Sequence, residues 1–289
     1  MERGSEPWAR TEQSSTGWPE VAGELRGGRI PRKGRLKVAD FSDVADEYDR
    51  IGQQYKESKQ LPFRHYVEAH SMFGLLPDLA GRSVVDLACG DGIYARKLMR
   101  AGARRVVGVD ISPEMIALAE QAEAIEPIGV CYVLADAATV TLDEQFDVAL
   151  CSYLFNYARS RAELGTLIES VHRLLRPGGV VVGCNDYPDN PRTHFDRYRP
   201  YGFIKIGNRE RHEGDTVTYR FFNPDGSYFE LDNYFLPTEA YRHEFTQAGF
   251  ASFDWVMPEA SPEGLEAFPP GFWDAYVESP PIVSFAAQR

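Results

Sequence analysis

Apolar residues recur along the chain in two rhythms, and the switching between them predicts most of the architecture. Val44, Tyr48, Ile51 and Tyr55 stand three and four residues apart, and Tyr66, Met72, Phe73 and Leu76 carry a second such face. Spacing of this kind predicts two lid-like helices ahead of the first strand. Short apolar runs follow at Ser83–Cys89, Arg105–Val109, Val130–Leu134, Asp147–Cys151 and Val180–Cys184. Helical patterns lie after the first run (Tyr94, Leu98, Met99), after the second (opened by Ser112-Pro113-Glu114) and after the fourth (Leu164, Ile168, Val171, Leu174). A capping Ser followed by Pro at the first helical position marks a helix start. Apolar runs alternating with helices predict an α/β fold whose parallel sheet is covered on both faces.

The later sequence changes character. Thr216–Phe222 and Tyr228–Phe235 flank Asn223-Pro224-Asp225-Gly226, a hairpin signature, and a helix near Thr238–Ala248 and a strand near Ile282–Ala286 follow. Residues 187–215 have no clear period and many aromatic and charged side chains, so an insertion over the site is expected there. Residues 1–40 are polar, Gly-rich and without period, and are expected to form a mobile tail ahead of one domain over 41–289.

Composition narrows the function. With 43% hydrophobic residues in 289, the chain has material for a large core. The formal net charge of −12 opposes binding to a phosphate backbone, and the only basic cluster is Arg32, Lys33, Arg35 and Lys37, so no nucleic-acid partner is expected. No apolar run approaches the roughly 18 residues of a membrane span, and the N-terminus lacks an apolar signal region, which points to a soluble cytoplasmic protein. Cys89, Cys131, Cys151 and Cys184 show no CxxC spacing and are expected to be buried free thiols.

In an open α/β sheet, ligands bind at the carboxyl ends of the strands. The first such loop, Gly90-x-Gly92-x-x-Ala95 with Asp110 downstream, formally satisfies a dinucleotide fingerprint, which keeps a nicotinamide oxidoreductase as a rival. Asp86 and Asp91 argue against it, because carboxylates beside the glycines would repel a diphosphate. S-adenosylmethionine instead presents an ammonium and a sulfonium, which these acids favour. Asp110 can accept both ribose hydroxyls, and Asp136 the adenine amino group, with Ala137 giving a backbone contact. An Asp after a strand can also simply cap the next helix.

Val85-Asp86-Leu87-Ala88-Cys89-Gly90-Asp91-Gly92, Val107-Gly108-Val109-Asp110-Ile111-Ser112, Asp136-Ala137 and Leu174-Leu175-Arg176-Pro177-Gly178-Gly179 resemble the successive motifs of class I S-adenosylmethionine-dependent methyltransferases. The resemblance implies a Rossmann-like, doubly wound seven-stranded sheet whose last strand is antiparallel, which the late hairpin suits. It also implies cofactor contacts from Gly90, Gly92, Asp110, Ile111 and Asp136, and from Asp86 and Asp91. Tyr48-Asp49-x-Ile51, Tyr55-x-x-x-Lys59, Tyr201-Gly202-Phe203 and Phe229–Tyr234 resemble the toxoflavin-synthase-type branch and bacterial indole C3-methyltransferases, which work on nitrogen heterocycles. Tyr55 is assigned by this resemblance to the cofactor and the reacting centre.

Methyl transfer from a sulfonium is an in-line displacement, so alignment and exclusion of water matter most. The residues expected to face the acceptor are Tyr153, Asn156, Tyr157, Tyr187, Tyr198 and Tyr201, whose rings either stack on a flat heterocycle or fill the core. Asp186, ending the fifth strand, is the first candidate for a base, with Tyr55 and His194 behind it. Strand four ends in Cys151-Ser152-Tyr153 without a carboxylate, so no metal is expected. It also lacks the Asn/Asp-Pro-Pro-aromatic run of amino-methyltransferases. The expectation is N- or C-methylation of a small heteroaromatic natural-product intermediate, for example at an indole C3 or an azapteridine nitrogen. O-methylation of a phenol and non-catalytic cofactor binding remain as alternatives.

Overall fold

The computed structural model describes residues 43–46, 58–223 and 225–289. The expected tail, Tyr48, Ile51 and Tyr55 lie outside them. A π-helical turn, Arg64–Ala69, runs into α1 (His70–Phe73), so the second predicted helix stops before Leu76. The sheet begins at β1 (Ser83–Leu87), followed by α2 (Ile93–Arg100), β2 (Arg105–Asp110), α3 (Pro113–Ile125), β3 (Cys131–Leu134), β4 (Phe146–Ser152), α4 (Arg161–Leu174) and β5 (Leu175–Asp186). Ser112 Oγ accepts from the Met115 amide at 3.1 Å with Pro113 at the first turn, the start anticipated from the sequence. Ser160 caps α4 in the same way, accepting from the Glu163 amide at 3.2 Å.

The central strands are buried on both faces, which is why they read as continuous apolar runs rather than alternating ones. Val84, Val106, Val148, Leu150 and Val182 point to one core, with Met72, Tyr94 and Leu98. Val85, Val107, Ala149, Cys151 and Val181 point to the other, with Leu164, Ile168, Val171 and Phe245.

Beyond β5 come β6 (Phe203–Ile206), β7 (Thr216–Phe222), β8 (Tyr228–Tyr234), α5 (Thr238–Gln247), β9 (Ser252–Val256), α6 (Pro262–Ala267), α7 (Asp274–Glu278) and β10 (Ile282–Gln288). The main sheet has seven strands in the order β3-β2-β1-β4-β5-β10-β9, with β10 antiparallel to both its neighbours. This is the class I methyltransferase fold. The antiparallel strand is not part of the late hairpin, as the sequence suggested. That hairpin, β7 and β8, joins β6 in a separate three-stranded sheet. Gly183 explains how closely β5 packs between its neighbours: a Cβ there would lie 2.1 Å from the Cys151 carbonyl and 2.4 Å from the Phe285 ring.

The stretch expected to be irregular holds a 3-10 helix, Arg192–Tyr201, as well as β6. Pro191 and Pro200 set its ends and Gly202, at φ 94°, turns the chain into the strand. In β7 and β8 the alternation is clean, with Val217, Tyr219, Phe221, Phe229, Leu231 and Asn233 buried and their neighbours more exposed.

Candidate functional site

Two connected pockets lie at the carboxyl ends of the strands. The loop after β1 turns through residues of positive φ, Ala88 at 60°, Gly90 at 55° and Gly92 at 76°. A Cβ on Gly92 would fall 2.3 Å from the Tyr132 hydroxyl, so glycine is required there for space as well as for conformation. Asp110, at the end of β2, braces this loop: one carboxylate oxygen accepts from the Gly90 amide at 2.7 Å and the other from the Ser112 amide at 2.9 Å. Asp136 accepts from the Ala138 amide at 2.8 Å and so caps a tight turn beside the cleft.

The first pocket, roughly 650 Å³ including its mouth, is lined by Gly90, Asp110, Ile111, Asp136, Ala137 and Tyr153 among others. Asp86, Asp91 and Gly92 do not line it but shape the loop beneath. Both carboxylate oxygens of Asp86 and one of Asp91 are buried without a hydrogen-bond partner among the described residues. Burial pushes the Asp86 carboxyl up to about 8; the Lys59 charge acts against this, whereas Asp110 and Asp91 reinforce it. Burial likewise raises Asp110, against its backbone donors and Lys59. Burial raises both Asp86 and Asp110, and positive charge bound beside them would offset that cost.

The second pocket, about 320 Å³, shares Tyr153 and Tyr157 with the first. Its remaining walls are Arg64, Tyr219, Phe221, Leu231, Asn233 and Ile282, so the inner face of the small sheet forms one side. Tyr153 follows β4 with a left-handed backbone (φ 63°) and is held by its amide donating to the Cys184 carbonyl at 2.8 Å. This strained position turns its ring between the two pockets. Among the described residues, the lining of the second pocket contains no carboxylate and no histidine.

Asp186 stands behind that lining. It forms an ion pair with Lys205 at 2.6 Å and accepts from the Tyr219 hydroxyl at 2.6 Å, while its amide donates to Asn156 Oδ1 at 3.0 Å. Burial lowers the Lys205 pKa and Asp186 opposes that shift. Asn156 therefore reaches Asp186 rather than either cavity. The structure does not bring the remaining predicted acceptor residues to the pockets. His194 Nδ1 contacts Ser279 Oγ at 2.6 Å, Tyr198 donates to the Ser279 carbonyl at 2.6 Å, and Tyr201 donates to the Phe272 carbonyl at 2.7 Å. The 3-10 helix packs these rings inward, Tyr198 on Phe203 and Tyr201 on Trp273 at centroid distances of 5.5 Å each, so they consolidate the wall from behind. Tyr187 leaves β5 half-buried and lines neither pocket.

Sequence reasoning missed Arg64, Glu68, Lys205, Tyr219 and Phe221. A signal existed for three of them: Arg64 and Glu68, four residues apart, form a buried ion pair at 3.0 Å. Lys205 occupies an inward position of a short apolar strand, where a lysine needs a partner.

The family described as a methyltransferase domain matches residues 84–179. A demethylmenaquinone methyltransferase of Thermus thermophilus is 31% identical over 180 residues, 58% of this chain and 77% of that protein. A ubiquinone biosynthesis O-methyltransferase of Psychrobacter cryohalolentis is 32% identical over 136 residues, 46% of this chain and 51% of that protein. The chain spans between about half and two thirds of the length of several curated relatives it matches. The crystal structure of an S-adenosylmethionine dependent methyltransferase from Mesorhizobium loti superimposes with a TM-score of 0.57 at 20% identity, covering 80% of this chain and 100% of that one.

Proposed function

The chain belongs to the S-adenosylmethionine-dependent methyltransferases, and we propose that it transfers the methyl group of that cofactor to a small, flat, nitrogen-containing aromatic acceptor. The observation that carries this reading is the pair of pockets meeting at Tyr153 and Tyr157: one lined by Gly90, Asp110 and Asp136, which suit the cofactor, the other largely by aromatic rings. Gly90, Asp110, Ile111, Asp136 and Ala137 would hold the nucleoside, with Asp86 and Asp91 favouring its positive charges. The cofactor supplies an activated methyl on a sulfonium. The protein holds the acceptor in line with it and keeps water out.

The acceptor class follows from the lining of the second pocket. The two nearby acids are committed, Glu68 to Arg64 and Asp186 to Lys205. An acceptor that needs no deprotonation before the transfer, such as a heterocyclic nitrogen with a free lone pair or an electron-rich ring carbon that releases its proton to solvent only after the methyl bond has formed, suits this lining better than a phenol. The second reading, O-methylation of a phenol, is favoured by the names of the O-methyltransferases among the relatives. Incubating the protein with methyl-labelled cofactor and panels of indoles, azapteridines and phenols, then locating the label by NMR, separates the two. Labelled heterocycles are expected. Label on phenols alone would reverse the order.

The raised Asp86 adds a pH dependence. Between the unfolded carboxyl range and about 8, the unfolded chain is ionised there while the folded one keeps its proton, so this group's contribution to stability falls as pH rises through that window. A cation bound beside Asp86 reverses the preference and expels the proton. Cofactor binding at pH 7 is therefore expected to release close to one proton, read calorimetrically from buffers of different ionisation enthalpy, and to strengthen from pH 6 to 8. Asp86→Asn should abolish the release; a wild-type signal independent of buffer would remove Asp86 from the cofactor's surroundings.

A further inference from the structure

Glu68 lies behind the wall common to both pockets and joins three elements that the reaction must keep in register. Its buried carboxylate accepts from the Tyr94 hydroxyl of α2, from Arg64 at 3.0 Å and from the Tyr153 hydroxyl. Tyr94 stands two residues after Gly92, so the glycine loop and the partition between the pockets are tied to one carboxylate. The π-helical turn places Arg64 and Glu68 on the same side, and the Arg64 guanidinium lies 5.0 Å from the Tyr153 ring centre and 5.5 Å from that of Phe221. A cation thus stands in the lining of the second pocket, beside the Tyr153 ring.

We propose that Glu68 is a positioning residue for the methyl transfer, which fixes the Tyr153 ring at the partition and offsets the Arg64 charge so that the wall accepts a sulfonium. This inference rests on the methyltransferase reading. S-adenosylmethionine and S-adenosylhomocysteine differ in one methyl and one positive charge at sulfur, so the ratio of their affinities reports the field at the partition. A role limited to holding the fold would change both affinities together.

The test is calorimetric titration of both ligands into the full chain, its Glu68→Gln and Arg64→Met variants and the double variant. Glu68→Gln removes the negative charge that stands 3.0 Å from the Arg64 guanidinium, and is expected to cost about tenfold in affinity for S-adenosylmethionine but less than about threefold for S-adenosylhomocysteine. Arg64→Met should move the ratio the opposite way, and the double variant should return it to within about threefold of wild type. Equal losses for both ligands in Glu68→Gln, or a ratio that Arg64→Met leaves unmoved, overturn the proposal. Melting curves identify any single variant that does not fold. The double variant, with both charges of this pair removed, then carries the test, and a ratio shifted more than about tenfold contradicts the proposal. Failure of the wild type to bind either ligand would instead overturn the methyltransferase reading.

Discussion

Replacing Asp110 with alanine is expected to lower the affinity for S-adenosylhomocysteine by about a hundredfold. A carboxylate that accepts two hydroxyls in a buried site contributes roughly 1.5–3 kcal/mol per hydrogen bond, and about 1.4 kcal/mol corresponds to a factor of ten. Asp110 also holds the Gly90 and Ser112 amides, so its removal loosens the loop that frames the cleft. Asp110→Asn should fall between, since one amide oxygen can keep part of the bracing. Asp186→Ala is the control, because Asp186 faces Lys205 and Tyr219 and lines neither pocket. Its effect on cofactor affinity should be no more than a few-fold, whatever it does to turnover. Similar losses in both variants, measured by calorimetry on samples shown to be folded, would mean that the strand ends have been assigned wrongly.

The second large effect is on stability. Lys205→Met removes one partner of an ion pair whose side chains are 0% and 8% exposed, leaving the Asp186 carboxylate without its counter-charge. Breaking a buried pair on one side costs about 3–5 kcal/mol, because the orphaned charge has lost its water and gained nothing in return. For a domain of this size that corresponds to a fall in melting temperature of roughly 10 °C. Lys205→Met combined with Asp186→Asn leaves no charge unpaired and should recover more than half of the loss. Thermal unfolding of both variants checks this. A single variant as stable as wild type would show that water reaches the pair.

The sequence disclosed those features that local chemistry determines. Strands buried on two faces produce unbroken apolar runs, so β1, β2, β4 and β5 were legible, as was the Ser112-Pro113 helix start. Asp110 and Asp136 were legible as cleft-lining residues because clefts of such sheets open at the strand ends. The hairpin was legible as a hairpin, but nothing in its turn says which sheet it joins, and β6, only four residues long, was hidden among prolines and charges. The edge strand β9 escaped because Ser252 and Asp254 interrupt its apolar positions. Tyr198, Tyr201 and His194 show the general limit: aromatic density locates a packed region, but only the tertiary structure decides which rings face a cavity and which brace it. The pairing of Asp186 with Lys205 is likewise a product of topology, joining β5 and β6, which local periodicity treats separately.

Calorimetric titration of the wild-type chain with S-adenosylhomocysteine and, separately, with NADH tests the assignment most directly, because the glycine loop after β1 formally suits either. Saturable binding of S-adenosylhomocysteine, accompanied by a raised melting temperature and with no heat from NADH, is the expected result. Tight NADH binding with no response to S-adenosylhomocysteine would contradict it.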